Sequence, residues 1–243
     1  DRTAPGKIID MAKKKNVPII FFNRELVEED LERWDKLYYV GADAKESGVL
    51  QGELAAAYLK AHPEADRNQD GVIQYVVLEG EAGHQDAILR TEYAASTLKE
   101  RGIALEKLGY ALANWNRSQA QTQVQQLLQS YGAQIELILA NNDDMALGAL
   151  DAYRASNIPL PPIFGIDGTE PGLAAVRDKS LTGTVKNNGI GQAEAMLSLA
   201  LSLAAGEKSA YTLDRGKYIR IPYEAVSADK DSSMTVRSTE LSR

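Results

Sequence analysis

"DRNQDGVIQYVVLEGEAGHQDAILR", residues 66–90, holds three signals in a row. First comes a polar loop with acidic or amide side chains at alternate positions, Asp66, Asn68 and Asp70, followed by Gly71. Then "QYVVLEG" (74–80) reads as a buried β-strand. A polar turn leads into a helical period from residue 85. Strand, polar turn and helix are the repeating unit of a parallel α/β sheet.

The same unit recurs in both directions. Strand-like runs are "VPIIFF" (17–22), "LEKLGYALA" (105–113), "IELILA" (135–140), "PPIFGI" (161–166) and "LTGTVK" (181–186). "KYIRIPYEAV" (217–226) alternates like one strand exposed on a single face. Helical periods cover 4–15, 44–61, 85–101, 116–130, 143–156, 170–179 and 189–205. The expected fold class is α/β, with parallel sheets covered by helices on both faces. The chain's 243 residues suffice for one large domain or two lobes.

Charge and composition narrow the function. A net charge of −7 argues against nucleic acid as a partner, because a phosphate backbone calls for a basic patch. With no cysteine, disulfides, thiolate nucleophiles and Cys-bound zinc are excluded. No apolar run is long enough to span a bilayer. The chain opens on Asp1, which fits a targeting segment removed before that point.

Ligands of open parallel sheets bind beyond the carboxyl ends of the strands. Asn23 follows the first run, and His84, Asp86 and Arg90 follow the second. Asn114 and Trp115 come next, then Asn141, Asn142 and Asp143, then Asp167, then Asn187 and Asn188. Carboxylates beside Asn and Arg donors suit sugar hydroxyls, which both donate and accept. An indole suits the apolar face of a pyranose. Each Asn or Asp alone reads first as a turn former or helix cap, and it is their coincidence at six strand ends that points to a sugar. Asp143 and Glu170 are read as helix-start residues only.

The loop at 66–74 has the ligand order of an EF-hand, but Val77 stands where the closing Glu belongs. Gln74 begins a strand, so the missing carboxylate should come from the amino end of a neighbouring strand. Glu136, between Ile135 and Leu137, is such a residue. The expected site for Ca²⁺ is Asp66, Asn68, Asp70, Gln74 and Glu136 with the backbone carbonyl of Val72, all hard oxygen donors. A strand rises roughly 20 Å, so an ion at the amino edge is structural and remote from a pocket at the carboxyl edge.

These stretches, with "NVPIIFFNRE", "YYVGADAKESGVLQGE", "IELILANNDDMALGAL", "FGIDG" and "TGTVKNN", resemble the periplasmic galactose/glucose-binding proteins of bacterial ABC transport and chemotaxis, a branch of the type I periplasmic binding proteins. The resemblance runs through nearly the whole chain. It implies two Rossmann-like lobes joined by three crossing strands, with a hexose in the cleft between them. It implies hydrogen bonds to the sugar from Asn23, His84, Asp86, Arg90, Asn142, Asp167 and Asn187, with Trp115 stacked on the ring. It implies the same calcium ligands, no catalysis, and a periplasmic or extracytoplasmic location, free or lipid-anchored. Partners implied are an ABC permease in the membrane and, for signalling, a chemoreceptor.

The family has two further βα units ahead of the segment matching "DRTAPGKIIDMA". Residues 1–42 and 187–222 should then form an incomplete first lobe with an open sheet edge. Residues 43–186 and 223–243 should form the second lobe and carry the calcium site. The missing units are expected from a separate or cleaved chain, or from a longer precursor in permuted order with "SADKDSSMTVRSTELSR" (227–243) as linker; the third alternative is a fragment that lacks them and binds poorly.

Two other classes fit the sequence less well. The effector core of a LacI-like transcription regulator shares the fold, but the chain is acidic and has no helix-turn-helix. "GIGQAE" (189–194) resembles a dinucleotide fingerprint but has Glu194 at its last position. Asp86 and Asp167 as a glycosidase pair are set among groups suited to holding a sugar.

Overall fold

The computed structural model describes residues 5–228. In chain order the elements begin α1 (Pro5–Lys15), β1 (Ile19–Phe22), α2 (Glu28–Leu31), β2 (Leu37–Gly41), α3 (Ala44–Ala61) and β3 (Ile73–Glu79). Next are α4 (Gln85–Glu100), β4 (Leu105–Leu112), α5 (Arg117–Tyr131), β5 (Leu137–Ala140) and α6 (Asp143–Arg154). Last are β6 (Ile163–Asp167), α7 (Glu170–Arg177), β7 (Gly183–Lys186), α8 (Gly189–Ala205), β8 (Tyr218–Arg220) and β9 (Glu224–Ser227). The described residues are α/β.

The chain divides into two units. The smaller runs up to Asp43 and then from Asn188 to Pro222; the larger takes Ala44 to Asn187 and the chain from Tyr223 on. Asn187, expected with the smaller lobe, thus groups with the larger. The expected linker lies outside the described residues except for Ser227 and Ala228, and Ser227 ends β9.

In the larger unit the sheet order is β4–β3–β5–β6–β7–β9, parallel except for the antiparallel β9. Side chains alternate along β3: Val76 and Leu78 pack with α5 and α6 residues such as Val124, Met145 and Leu150. Tyr75 and Val77 face Ala55, Leu59, Ala94 and Leu98 of α3 and α4. Both faces are therefore covered, which explains the nearly continuous apolar runs. At Gly52 of α3 an added Cβ would stand 2.7 Å from the Ala94 carbonyl oxygen, so its bare Cα lets α3 and α4 approach.

In the smaller unit the parallel sheet order is β1–β2–β8, and β1 pairs only with β2 among the described residues. Ile9, Leu31, Leu37 and Tyr39 form one apolar cluster, and Val40, Ala195, Leu199 and Ile219 another.

One expectation is corrected and one strand is added. Residues 217–226 are not one strand: β8 ends at Arg220 in the small sheet and β9 starts at Glu224 in the large one. Pro222 lies between them and has no N–H to continue a ladder. β2 was not foreseen, yet it is central in its sheet, with Leu37, Tyr39 and Val40 buried. Its aromatic and β-branched residues are a strand signal held in five residues.

Candidate functional site

At the carboxyl edge of the larger sheet, the turn after β3 delivers His84 and α4. His84 caps α4, its Nδ1 accepting from the Asp86 N–H at 3.1 Å. One turn further, Arg90 points inward and is only 5% exposed. Its Nη1 donates to the Asn141 carbonyl at 2.6 Å and to Asp167 Oδ1 at 3.3 Å, and its Nη2 donates to the Tyr223 hydroxyl at 3.2 Å. Its Nε is buried with no hydrogen-bond partner. Arg90 is thus a buried guanidinium joining α4, the ends of β5 and β6, and the entry to β9.

Burial raises the Asp167 pKa above the ordinary carboxylate range, against the lowering influence of Arg90; Asp144 and Asp86 push it the same way as burial. Desolvation by itself would lower the Arg90 pKa, but Tyr223, Asp167 and Asp86 carry it above its ordinary value. Arg90 therefore stays a cation.

Trp115 follows β4 in a left-handed backbone conformation (φ 63°), as does Asn114 (φ 49°). Its indole lies against the bare Cα of Gly80, where an added Cβ would come within 2.1 Å of the ring. The His84 ring meets the indole edge-on at 5.1 Å between centroids, and the Arg90 guanidinium stands 5.7 Å from the ring centre. Asp167 (φ 113°) is also held in unfavourable backbone geometry. Such strain is characteristic of ligand sites.

His84, Asp86, Arg90, Trp115 and Asp167 are thus tied together at one edge. Asn142 adjoins them, but its side chain is engaged: Oδ1 caps α6 by accepting from the Met145 N–H, and Nδ2 donates to the Trp115 carbonyl. Asn141 is a framework residue, bonded to the Gly80 N–H and Thr91. Asn187 follows β7 and donates its N–H to the Asp167 carbonyl at 2.9 Å. Asn23 belongs to the smaller unit, at the end of β1 with φ 62°, and its carbonyl accepts from the Tyr39 hydroxyl.

Three residues at this edge went unforeseen. Tyr223 carries no local signal in "IPYEAV". Gln51 on α3 is fully buried and its Nε2 donates to the carbonyls of Ala140, Phe164 and Gly165. Asp143 is more than a helix-start residue. Its carboxylate is fully buried and accepts from the Thr169 N–H at 2.7 Å and from the Thr184 hydroxyl at 2.5 Å. Burial, only partly offset by these bonds, pushes its pKa up to about 6.

At the amino edge, Glu136 is 1% exposed and precedes β5. Its Oε1 accepts from the Arg67 N–H at 2.6 Å and its Oε2 from the Gln74 N–H at 3.1 Å, so it ties the 66–72 loop to the sheet. Within the loop, Asp66 accepts from the Gly71 N–H and Asp70 from the Val72 N–H. Asn68 Nδ2 donates to Asp70 Oδ2 and Gln74 Oε1. The donors are oxygen-rich and in the expected order, so they fit a hard cation in type. Among the described residues no three His, Cys, Asp or Glu side chains cluster closely enough to define a metal centre by themselves.

Comparison with known proteins gives the family. The sequence profile described as the periplasmic binding protein domain matches residues 1–208. The D-galactose/methyl-galactoside binding periplasmic protein MglB of Haemophilus influenzae is 40% identical over 236 residues, covering 96% of this chain and 70% of that protein. A xylitol-binding protein of Mycolicibacterium smegmatis is 32% identical, covering 83% of this chain and 53% of that one. Among solved structures, an ABC transporter solute-binding protein from Bacillus halodurans with bound myo-inositol superposes with a TM-score of 0.78 at 29% identity, covering 94% of this chain and 72% of the other.

Proposed function

The chain belongs to the periplasmic binding protein domain family, whose relatives bind solutes without transforming them, and from that premise we propose that it binds a hexose, D-galactose or D-glucose, for ABC uptake in the periplasm. The observation that carries this reading is the buried Arg90 at the carboxyl edge of the larger sheet. It pairs with Asp167, stands beside the Trp115 indole, and keeps Nε without a protein partner. A buried donor without a partner is costly, and a ligand hydroxyl would satisfy it. Asp86 and Asp167 supply acceptors for neighbouring hydroxyls. The indole offers an apolar face to the ring's C–H groups. The names of the relatives point the same way, since galactosides, xylitol and myo-inositol are all polyhydroxylated.

In this reading the loaded protein delivers its sugar to a membrane permease, and a chemoreceptor is a second receiver of the same signal. Ca²⁺ has a structural role at the opposite edge, held by Asp66, Asn68, Asp70, Gln74, Glu136 and the Val72 carbonyl. It would neutralise carboxylates that otherwise rely on backbone N–H groups and the side-chain amides of Asn68 and Gln74.

Calorimetric titration with D-galactose and D-glucose, with D-ribose and L-arabinose as controls, tests the proposal. Micromolar or tighter binding of a hexose, lost in Arg90→Ala, is expected. Binding of a pentose in preference to both hexoses, or of none of the four, would overturn it.

A further inference from the structure

Asp167 ends β6 at φ 113° and is followed by Gly168 at φ 64°. Asp167 is the last β6 residue in the ladder with β7, opposite Lys186, so the turn that follows it must be anchored from beyond the strand. The anchor begins at Thr169. Its N–H and its hydroxyl both donate to Asp143 Oδ2, at 2.7 and 3.2 Å. The other carboxylate oxygen, Oδ1, accepts from the Thr184 hydroxyl of β7 at 2.5 Å. Thr169 Oγ1 also accepts from the Gly172 N–H at 3.2 Å and so caps α7.

We propose that Asp143 is a positioning residue for the ligand site: it pins the Asp167–Gly168–Thr169 turn between β6, α7 and β7 and thereby fixes where the Asp167 carboxylate meets Arg90. The surroundings are shaped for this carboxylate. An added Cβ at Gly165 would stand 2.3 Å from Asp143 Oδ1, and one at Gly172 would stand 2.3 Å from Oδ2. Both glycines leave their space to the two oxygens. A fully buried carboxylate bonded to three donors on two elements makes a stiff link. Its desolvation is a cost that a helix-start residue exposed to water would not bear. The Asp143 carboxylate is not itself a ligand contact, since its two oxygens are taken by Thr169 and Thr184.

The inference rests on the reading of Asp167 as a ligand contact, and two readouts separate the two claims. The first, in the sugar-free protein, follows the carbon-13 resonance of the Asp167 carboxyl through a pH titration. The second is hexose affinity by calorimetry. The variants are Asp143→Ala, Asp143→Asn and Thr184→Val, with Leu150→Ala of α6 as a control that weakens the core without touching the turn. Asp143→Ala should lower the Asp167 titration midpoint, because the released turn admits water, and should weaken hexose binding about tenfold, the scale on which supporting partners act. Asp143→Asn, which can still accept from Thr169, should restore affinity to within about threefold. Thr184→Val should shift Asp167 in the same direction by less. Leu150→Ala should bind normally even where it melts as early as Asp143→Ala. An Asp167 titration identical in Asp143→Ala and Asp143→Asn would mean that only the charge matters and would overturn the proposal. So would an unmoved Asp167 in Thr184→Val, should Asp143→Ala fail to fold. A wild-type protein that binds no hexose removes the functional reading alone, and the Asp167 titration still judges the positioning role.

Discussion

Arg90 and Asp167, 77 residues apart in sequence, meet at 3.3 Å at the carboxyl edge of the larger sheet, with the arginine side chain 6% and the aspartate side chain 31% exposed. The pair joins α4 to the end of β6. Arg90→Ala would leave Asp167 without its cation and the Asn141 carbonyl without its donor. Hexose affinity should fall by roughly 2–4 kcal/mol, and Arg90→Lys should recover only part of it because an ammonium lacks the planar fork. Calorimetry measures this, and unchanged affinity in Arg90→Ala would remove the residue from the site.

The contact of Gly80 with Trp115 predicts a steric test. Gly80→Ala places a methyl 2.1 Å from the indole, so the ring must move. The chain has two tryptophans, so a Trp34→Phe background isolates Trp115 fluorescence. The emission maximum should shift in the ligand-free variant, and sugar affinity should drop about tenfold. An unaltered spectrum would contradict the packing described.

The buried Asp143 predicts a pH dependence of stability. Its folded pKa of about 6 lies above the ordinary value of 3.8, so the folded state holds this proton more tightly than the unfolded one. Its contribution is most favourable below about pH 4, falls as pH rises to about 6, and is level above that; the total change is roughly 3 kcal/mol. Asp143→Asn has no proton to lose and should lack this component. Chemical denaturation from pH 4 to 8 measures the difference between the two proteins, and parallel curves would refute the assignment.

Glu136 predicts a separable calcium effect. Glu136→Ala strips acceptors from the N–H groups of Arg67 and Gln74, so it should destabilise the protein by about 2–4 kcal/mol even in chelator. Glu136→Gln keeps an acceptor and should lose less stability in chelator, yet it should also lose most of the rise in Tm that calcium gives the wild type. Melting curves with and without calcium decide this. No calcium effect on the wild type would leave Glu136 as a loop anchor alone.

Much of the fold was legible because burial on both faces of a parallel sheet writes itself into short apolar runs, and the helices between them carry their own period and caps. The helices at 44–61 and 189–205 were bounded to the residue. β2 was not, because five residues leave little room for a pattern to declare itself. The strand at 217–226 was divided because its two halves pair in different sheets, a matter of partners and not of composition.

The site divides the same way. Its chemical types were legible, since the ends of the runs list carboxylates, carboxamides, an arginine, a histidine and an indole. Their roles were not. Arg90 stands in the sequence as one polar residue after a strand, yet its partners Asn141, Asp167 and Tyr223 lie 51 to 133 residues away. Asp143 reads as a helix-start acid, yet Thr169 and Thr184 turn it into a buried anchor. By itself the sequence determined strands, helices and the inventory of polar groups, because these follow from local periodicity and side-chain chemistry. Only the tertiary structure decided which of those groups are buried and bonded to each other, because that depends on sheet order and register, which bring distant residues within hydrogen-bonding reach.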